Sequence, residues 1–451
     1  MQVRDMTKGR PLRLILSVAL PLMLGNVFQQ LYTVVDAHVV GSVNGVEALA
    51  ALGSADWFIW LFMGVITGLA QGFTIPMAQA FGAKDEARLR KTIGNAVSLG
   101  TVCSVLLMVV AIVLLPYLLA LLDTPEEILP TSQLYLTIIF CGMPIVMAYN
   151  LMAGILRALG DGKSPLYAMI ISSLVNVGLD LLFVAVFRWG VAGAAVATAI
   201  AQVCSCMFCL YRLSKIPFVR PARSDLRPER VMCFGLLRLS LPIAAQNGVI
   251  GVGGLIVQSV VNGLGVAFIA GYTATNKLYG VLEMAAISFG YAMSTYTGQN
   301  LGARKYRRIH RGVHTGALLG VVTAVCIAAV MFVIGGSLVD SFISGDPAQA
   351  AEAKRIAMEY LYVIAGALPV LYLLYIYRSS LQGMGNTVMP MASGIAEFVM
   401  RTVSALLLPV LIGYSGVFWA EVLAWAGADA ILITSYYIDI RRLPKEDQPR
   451  M

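Results

Sequence analysis

Two aspartates and three neutral polar residues interrupt apolar stretches in the first half of this 451-residue sequence. Asn176 and Asp180 lie four residues apart in SLVNVGLDLLF, so a helix would place them on one face, and Tyr32 and Asp36 have the same spacing. Thr198 follows in the next apolar run. Two carboxylates that converge in a low dielectric cannot both ionise cheaply, so one holds a proton or a cation lies between them. The pattern indicates reversible binding of H⁺ or Na⁺.

A sodium ion at this position would need several oxygen ligands. The carboxylate, amide and hydroxyl groups that would supply them belong to Asp36, Asp180, Asn176 and Thr198. Ionisable residues inside a membrane usually face a protein interior or an aqueous path and mark an ion or substrate route. The alternative is a hydrogen-bonded polar contact that only joins helices. From the residues, both interpretations stay open.

The elements that position these residues must cross a membrane. The chain is 59% hydrophobic and 12% charged, its mean hydropathy is +0.80, and apolar runs recur along its whole length. Runs of roughly 20 residues are long enough to span a hydrocarbon core of about 30 Å. We predict an all-α polytopic membrane protein with twelve transmembrane helices.

Basic residues alternate between the predicted spans. They cluster in the N-terminal tail, at 84–91, 212–230 and 304–311, and after residue 440, and Arg378 is grouped with them. By the positive-inside rule both termini are cytoplasmic. The net charge of +8 then reflects topology and anionic lipid headgroups, and we expect no nucleic-acid partner. The seven cysteines lie in or beside apolar spans, and we expect reduced thiols, no cofactor and no metal other than the coupling ion.

The two halves of the sequence repeat each other. Three segments recur about 220 residues later: 16–26 at 236–247, 78–93 at 297–313, and 156–165 at 381–390. Each half holds six predicted spans, which gives two pseudo-two-fold-related six-helix bundles, typical of transporters with a cavity between the halves. We predict an N-lobe at 1–212, a cytoplasmic linker at 213–232 and a C-lobe at 233–451.

Several motifs, in order, resemble a known family. LYTVVDAHVVG, EALAALG, QAFGAKD, LRALGDGKSPLYAMIISSLVNVGLDLLFV and GQNLGARKY are similar to the multidrug and toxic compound extrusion (MATE) family. Within the wider MOP superfamily the likeness is to the bacterial DinF-like branch, and it covers essentially the whole chain.

The resemblance implies roles for individual residues. In this branch an N-lobe cluster binds the coupling cation, and its positions match Asp36, Asn176, Asp180 and Thr198. Tyr32 and Pro21 match positions associated with rearrangement of the first span. Pro21 also has a physical reason to bend a helix, because a proline inside a helix removes one backbone hydrogen bond.

The second half does not repeat the acidic cluster. Glu397 and Arg401 form an i,i+4 pair, which we interpret as structural. Glu283 lies mid-span and resembles a C-lobe glutamate of other branches, so it is a candidate for cargo or a second cation. Further candidate cavity residues are Gln29, Asn150, Tyr291 and Tyr372.

These features predict a cation-coupled antiporter, driven by H⁺ or Na⁺, that exports lipophilic, drug-like cations by alternating access. The main alternative is a lipid-linked oligosaccharide flippase of the same superfamily, although its cavity would favour basic residues. The sequence contains no GxxxxGK[ST], HExxH or GxSxG motif, so we predict neither an ATPase nor another enzyme. We expect a monomer in the bacterial cytoplasmic (inner) membrane.

Overall fold

The computed structural model of this chain is almost entirely helical. It describes residues 3–121, 129–222, 224–343 and 347–444, and for 31–58, 121 and 347 only the backbone. The α-helices in the described residues are α1 (Pro11–Gly82), α2 (Glu86–Leu121), α3 (Leu129–Cys141), α4 (Met143–Ala158), α5 (Lys163–Asp180), α6 (Gly190–Ser214), α7 (Arg230–Asn262), α8 (Val266–Gly302), α9 (Tyr306–Asp340), α10 (Pro347–Gly383), α11 (Val388–Ile412) and α12 (Gly416–Arg442). A π-helix (Leu181–Val186) follows α5, and a 3₁₀-helix (Pro217–Val219) follows α6.

The helices confirm the predicted polytopic membrane protein. Within the described ranges, ten helical segments are long and apolar enough to cross a membrane, two of them in α1. The α3–α4 pair, bent by 42°, makes eleven when it counts as one span. Pro144 lies in the first turn of α4, where its missing N–H costs no helical hydrogen bond. α8 covers the eighth predicted span; it is not among these ten segments, although its 37 residues exceed the length that a membrane crossing needs.

The sequence repeat is visible in the backbone. Lys84 and Arg304, at equivalent positions, have φ of 59° and 57°, each in a turn between two long helices. Gly160 and Gly385 have φ of 77° and 89°, in the region that glycine adopts without strain. The hydrogen bonds around each pair also correspond, for example Gly160 N to Arg157 O and Gly385 N to Gln382 O, both 2.8 Å. Equivalent sequence motifs therefore form the same turns.

The chain divides by its internal contacts into two compact units. Unit 1 comprises Met1–Asp5 and Leu20–Gly248, and unit 2 comprises Met6–Ala19 and Val249–Met451. This division falls inside α1 and α7. The predicted lobes follow the sequence repeat and the 213–232 segment instead, and their boundaries stay a prediction.

Unit 1 is built on a continuous apolar core. Its buried residues come from the second half of α1 and from α2, α3, α4 and α6, and they include Phe62 and Phe140 with ring centroids 5.2 Å apart. α5 packs on α6, where Ser205 Oγ donates to Ala168 O at 3.0 Å. This packing holds α5 and α6 at a fixed register.

Unit 2 is centred on α10. This helix packs against α8, α9 and α12, and α11 packs against α12. Thr275 Oγ1 of α8 donates to Ala357 O of α10 at 2.9 Å. Residues 6–10, directly before α1, also belong to unit 2, and Met6 N donates to Gln299 Oε1 of α8 at 2.8 Å.

Candidate functional site

Three predicted site residues lie together where α5 meets α6. Asn176 and Asp180 share one face of α5 and are 1% and 0% exposed. Asn176 Nδ2 donates to Thr198 Oγ1 of α6 at 3.4 Å. Asn176 Oδ1 is buried and has no hydrogen-bond partner among the described residues. We call Asn176, Asp180 and Thr198 the α5–α6 cluster.

The α5–α6 cluster offers oxygen ligands to a cation. The Asn176 amide N–H is turned towards Thr198, and its carbonyl oxygen is an acceptor with no partner in the part of the chain whose side chains are described. Asp180 adds a buried carboxylate one helical turn later. A buried acceptor and a carboxylate favour a bound proton or metal cation over an apolar neighbour. The residues therefore fit H⁺ or Na⁺.

The helix type changes directly after Asp180. α5 ends at this residue, and the next six residues form the π-helix Leu181–Val186. Such π-helical turns occur often at functional sites, because they shift the register of side chains along a helix. Phe183, within the π-helix, stacks on Trp189, which follows it, with ring centroids 4.9 Å apart. The acid thus lies at a register change that aromatic packing supports.

Two members of the predicted cation site lie outside the described side chains. Asp36 and Tyr32 belong to α1, but for this part of α1 only the backbone is described. Their contribution stays a prediction. Pro21, the third candidate in the first span, lies inside α1 and is half-buried.

α1 contacts α5 near the α5–α6 cluster. A Cβ at Gly25 of α1 would lie 2.5 Å from Met169 Sδ and 3.5 Å from Leu166 Cα of α5, so the two helices are in close contact here. Ser173 Oγ donates to Phe28 O at 3.4 Å, one turn before Asn176. α1 therefore lies along the face of α5 that precedes the cluster.

A buried ion-pair network joins α10, α11 and α12 in unit 2. Glu397 accepts from Arg378 at 2.7 Å and from Arg401 at 2.8 Å, and Arg401 Nη2 also lies 2.8 Å from Glu421 Oε2. The predicted Glu397–Arg401 pair is present. It is the centre of a larger network of two guanidinium groups and two carboxylates, whose charges balance.

Glu283 of α8 lies beside this network. Its Oε1 accepts from Tyr375 OH of α10 at 2.8 Å, and the Arg378 guanidinium lies over the Tyr375 ring at 5.7 Å. Tyr279, one turn earlier, stacks on Trp425 with centroids 5.8 Å apart. A half-buried carboxylate among aromatic rings can attract an organic cation.

The four remaining candidates lie in different environments. Gln29 is exposed and Tyr291 half-buried. Asn150 Nδ2 donates to Val146 O of its own helix at 2.9 Å. Tyr372 is fully buried, and its hydroxyl donates to Leu282 O at 3.1 Å, so it fastens α10 to α8.

Three buried residues in or beside the unit 2 network are not among the site residues predicted from the sequence. Arg378 groups by sequence with the basic cytoplasmic segments, but it lies inside α10 and is 7% exposed. Tyr375, one turn before it, is not among the predicted site residues either. Asp429 of α12 is 5% exposed, and a signal for it existed, because WAGADAILI places one acid in an apolar run.

Three of the cysteines, Cys204, Cys206 and Cys209, lie close together in the CSCMFC stretch of α6. Its cysteines, like the others in the described residues, are free thiols. The described residues contain no group of three or more His, Cys, Asp and Glu side chains that could hold a metal ion.

Comparison with known proteins agrees with the fold and the repeat. The MatE family model matches twice, at residues 21–182 and 242–407. The chain is 28% identical to the probable multidrug resistance protein YpnP of Bacillus subtilis, over 92% of this chain and 93% of that protein. It is 25% identical to the probable multidrug resistance protein NorM of Thermotoga maritima, over 84% and 81%.

A solved structure gives the same fold. A MOP superfamily transporter from Pyrococcus furiosus superposes with a TM-score of 0.91 at 21% identity, covering 98% of both chains. The two matches of the family model fall on the two halves of the repeat and together cover most of the sequence. The chain therefore belongs to the MatE family, the multidrug and toxic compound extrusion transporters.

Proposed function

We propose that this transporter is an antiporter that couples export of lipophilic, drug-like cations to entry of H⁺ or Na⁺. The observation that carries the proposal is the α5–α6 cluster, in which Asn176 Oδ1 and the Asp180 carboxylate are buried oxygen ligands. We include Asp36 as the second acid, on the strength of the sequence alone.

Coupling requires that the cation prefer one conformation. A ligand that binds two states equally shifts neither. In alternating access, cargo binds from the cytoplasm and is released outside. The cation then binds at Asp180 and Asp36, rearranges α1 through Pro21 and Tyr32, and weakens cargo binding.

The proposed cargo class follows from Glu283. Its carboxylate, with Tyr375 and Tyr279 beside it, provides charge attraction and aromatic faces, which together favour a lipophilic cation. Glu283 could instead hold a second coupling cation, and the vesicle experiment below includes a variant of this residue.

A lipid-linked oligosaccharide flippase is less well supported. Such a cargo carries pyrophosphate, which would need unpaired basic residues. Arg378 and Arg401 are buried in ion pairs with Glu397 and Glu421, so their two positive charges are balanced by two carboxylates.

We further propose a monomer in the bacterial inner membrane with both termini in the cytoplasm. The basic segments of the sequence support this orientation. Labelling of single cysteines placed in the 224–229 segment, in intact cells and in everted vesicles, tests it. Labelling only in everted vesicles is expected, and labelling in intact cells would reverse the topology.

The proposal is tested by dye uptake into everted membrane vesicles. An ethidium-like cation is added while a proton gradient and a Na⁺ gradient are imposed separately. Uptake driven by one of the two gradients is expected and identifies the coupling ion, whereas uptake driven by neither rejects coupling. Glu283→Gln is expected to weaken dye affinity with coupling retained if Glu283 binds cargo, and to change the ion dependence if it binds a cation.

A further inference from the structure

The buried charges of unit 2 do not balance once all of its acids are counted. Arg378 and Arg401 neutralise Glu397 and Glu421, through contacts of 2.7 to 2.8 Å. Two more carboxylates, Glu283 and Asp429, belong to the same group of interacting side chains. If all four acids were ionised, this set would carry two negative charges in excess.

The two surplus acids differ in their surroundings. Glu283 is half-buried and accepts a hydrogen bond from Tyr375 OH at 2.8 Å, which stabilises its ionised form. Asp429 is 5% exposed, and its Oδ1 has no hydrogen-bond partner in the described part of the chain. A buried ionised carboxylate with an unsatisfied oxygen is costly. One of the two excess charges is therefore cheapest to remove at Asp429.

Charged and titratable neighbours of Asp429 come from two other helices. Arg378 and Tyr377 lie on α10, and Glu397 lies on α11. Arg378 Nη2 is held by Glu397, while its Nε is buried without a hydrogen-bond partner among the described residues. The Arg378 guanidinium therefore interacts electrostatically with two carboxylates and is hydrogen-bonded to one of them, Glu397.

We propose that Asp429 is a proton-binding site of unit 2, neutral in the state described here and able to release its proton when Arg378 turns towards it. On release, the carboxyl O–H bond breaks, the proton passes to water, and the new carboxylate pairs with the guanidinium. Glu397 then keeps Arg401 as its partner, at 2.8 Å. The ligand of this site is a proton.

Infrared spectroscopy of the purified full-length protein tests this directly. A protonated carboxyl group has a C=O stretch separate from that of a carboxylate, and the band shifts in D₂O. We expect such a band in the wild type at neutral pH and the loss of one component of it in Asp429→Asn, because a proton held at Asp180 or Asp36 would contribute a component of its own. Asparagine has the shape of the neutral acid, so this variant is expected to fold, which thermal unfolding checks.

A matched control lies on the same helix. Asp439 accepts from Asn386 Nδ2 at 2.6 Å, and Asp439→Asn is expected to leave the band unchanged. In Arg378→Gln, the band is expected to persist to higher pH, because the positive neighbour is gone. A spectrum that Asp429→Asn does not change would overturn the proposal. The readout needs no transport, so its result is independent of whether Asp180 couples efflux.

Discussion

At the scale of single residues, the α5–α6 cluster depends on how each polar atom is used. The Asn176 amide N–H donates a hydrogen bond to Thr198 of α6, and this orients the amide carbonyl oxygen away from α6. Asp180 supplies the charge. The hydroxyl of Thr198 therefore acts by positioning Asn176 as well as by offering an oxygen of its own.

This arrangement predicts distinct effects of two substitutions at Thr198. Thr198→Val removes the acceptor for Asn176 Nδ2 and frees the amide to turn, so the apparent affinity for the coupling cation should fall about tenfold, the scale of about 1.4 kcal/mol. Thr198→Ser keeps the hydroxyl and should stay close to the wild type. The measurement is dye uptake against cation concentration; equal curves for both variants would exclude this role.

The unit 2 network predicts a large stability effect at one residue. Glu397→Ala leaves Arg378 and Arg401 buried with fewer partners and should lower the free energy of unfolding by about 3–5 kcal/mol. Glu86, which lies 3.7 Å from Arg90 on the surface of α2, is the control. Glu86→Ala should change stability by less than about 0.5 kcal/mol. Thermal unfolding in detergent compares them, and similar melting temperatures would argue against a tight network.

At the scale of elements, glycine allows α1 and α7 to approach closely within unit 1. Gly64, Gly68 and Gly72 lie on one face of α1, and a Cβ at Gly68 would lie 2.7 Å from Ala244 Cα. Gly72 is in still closer contact with Ser240, and Asn247 Nδ2 donates to Gly64 O at 2.9 Å. Small residues at four-residue spacing are typical of close helix packing in membranes.

Gly72→Ala therefore tests this contact. The added methyl group meets backbone atoms of α7, which cannot move aside as a side chain can, and overpacking of this kind costs about 1–3 kcal/mol. Gly235→Ala on α7 is the matched control, because nothing lies within 4 Å of its Cβ. A lower melting temperature is expected only for Gly72→Ala. If both variants melt like the wild type, α1 and α7 are not packed this closely.

The sequence predicted the helices and turns better than the side-chain contacts between helices. Twelve spans follow from hydropathy, and the turns at Gly160 and Gly385 follow from the repeated LRALGDG and LQGMGN motifs. Asn176 and Asp180 were found because their spacing is local. Arg378 and Glu397 are on different helices, and no periodicity in a single sequence pairs one mid-span charge with another.

At the scale of the whole molecule, the two halves of the repeat differ in their buried polar and charged side chains. Unit 1 holds buried polar oxygen atoms at the α5–α6 cluster, and unit 2 holds a balanced ion-pair network with additional acids. The repeat therefore supplies the same helical frame twice, while the functional side chains are specific to each half. This is why the aligned halves share turns but not acids.

We propose that the α5–α6 cluster binds the ion that drives export. The most direct measurement compares ion-driven dye uptake in vesicles holding wild type, Asp180→Asn or Gly178→Ala, with equal amounts of inserted protein. Gly178 lies on the same helix with nothing within 4 Å of its Cβ, so this variant should transport like the wild type. Asp180→Asn should lose ion-driven uptake while remaining folded. Wild-type uptake by Asp180→Asn under the same gradient would contradict the account.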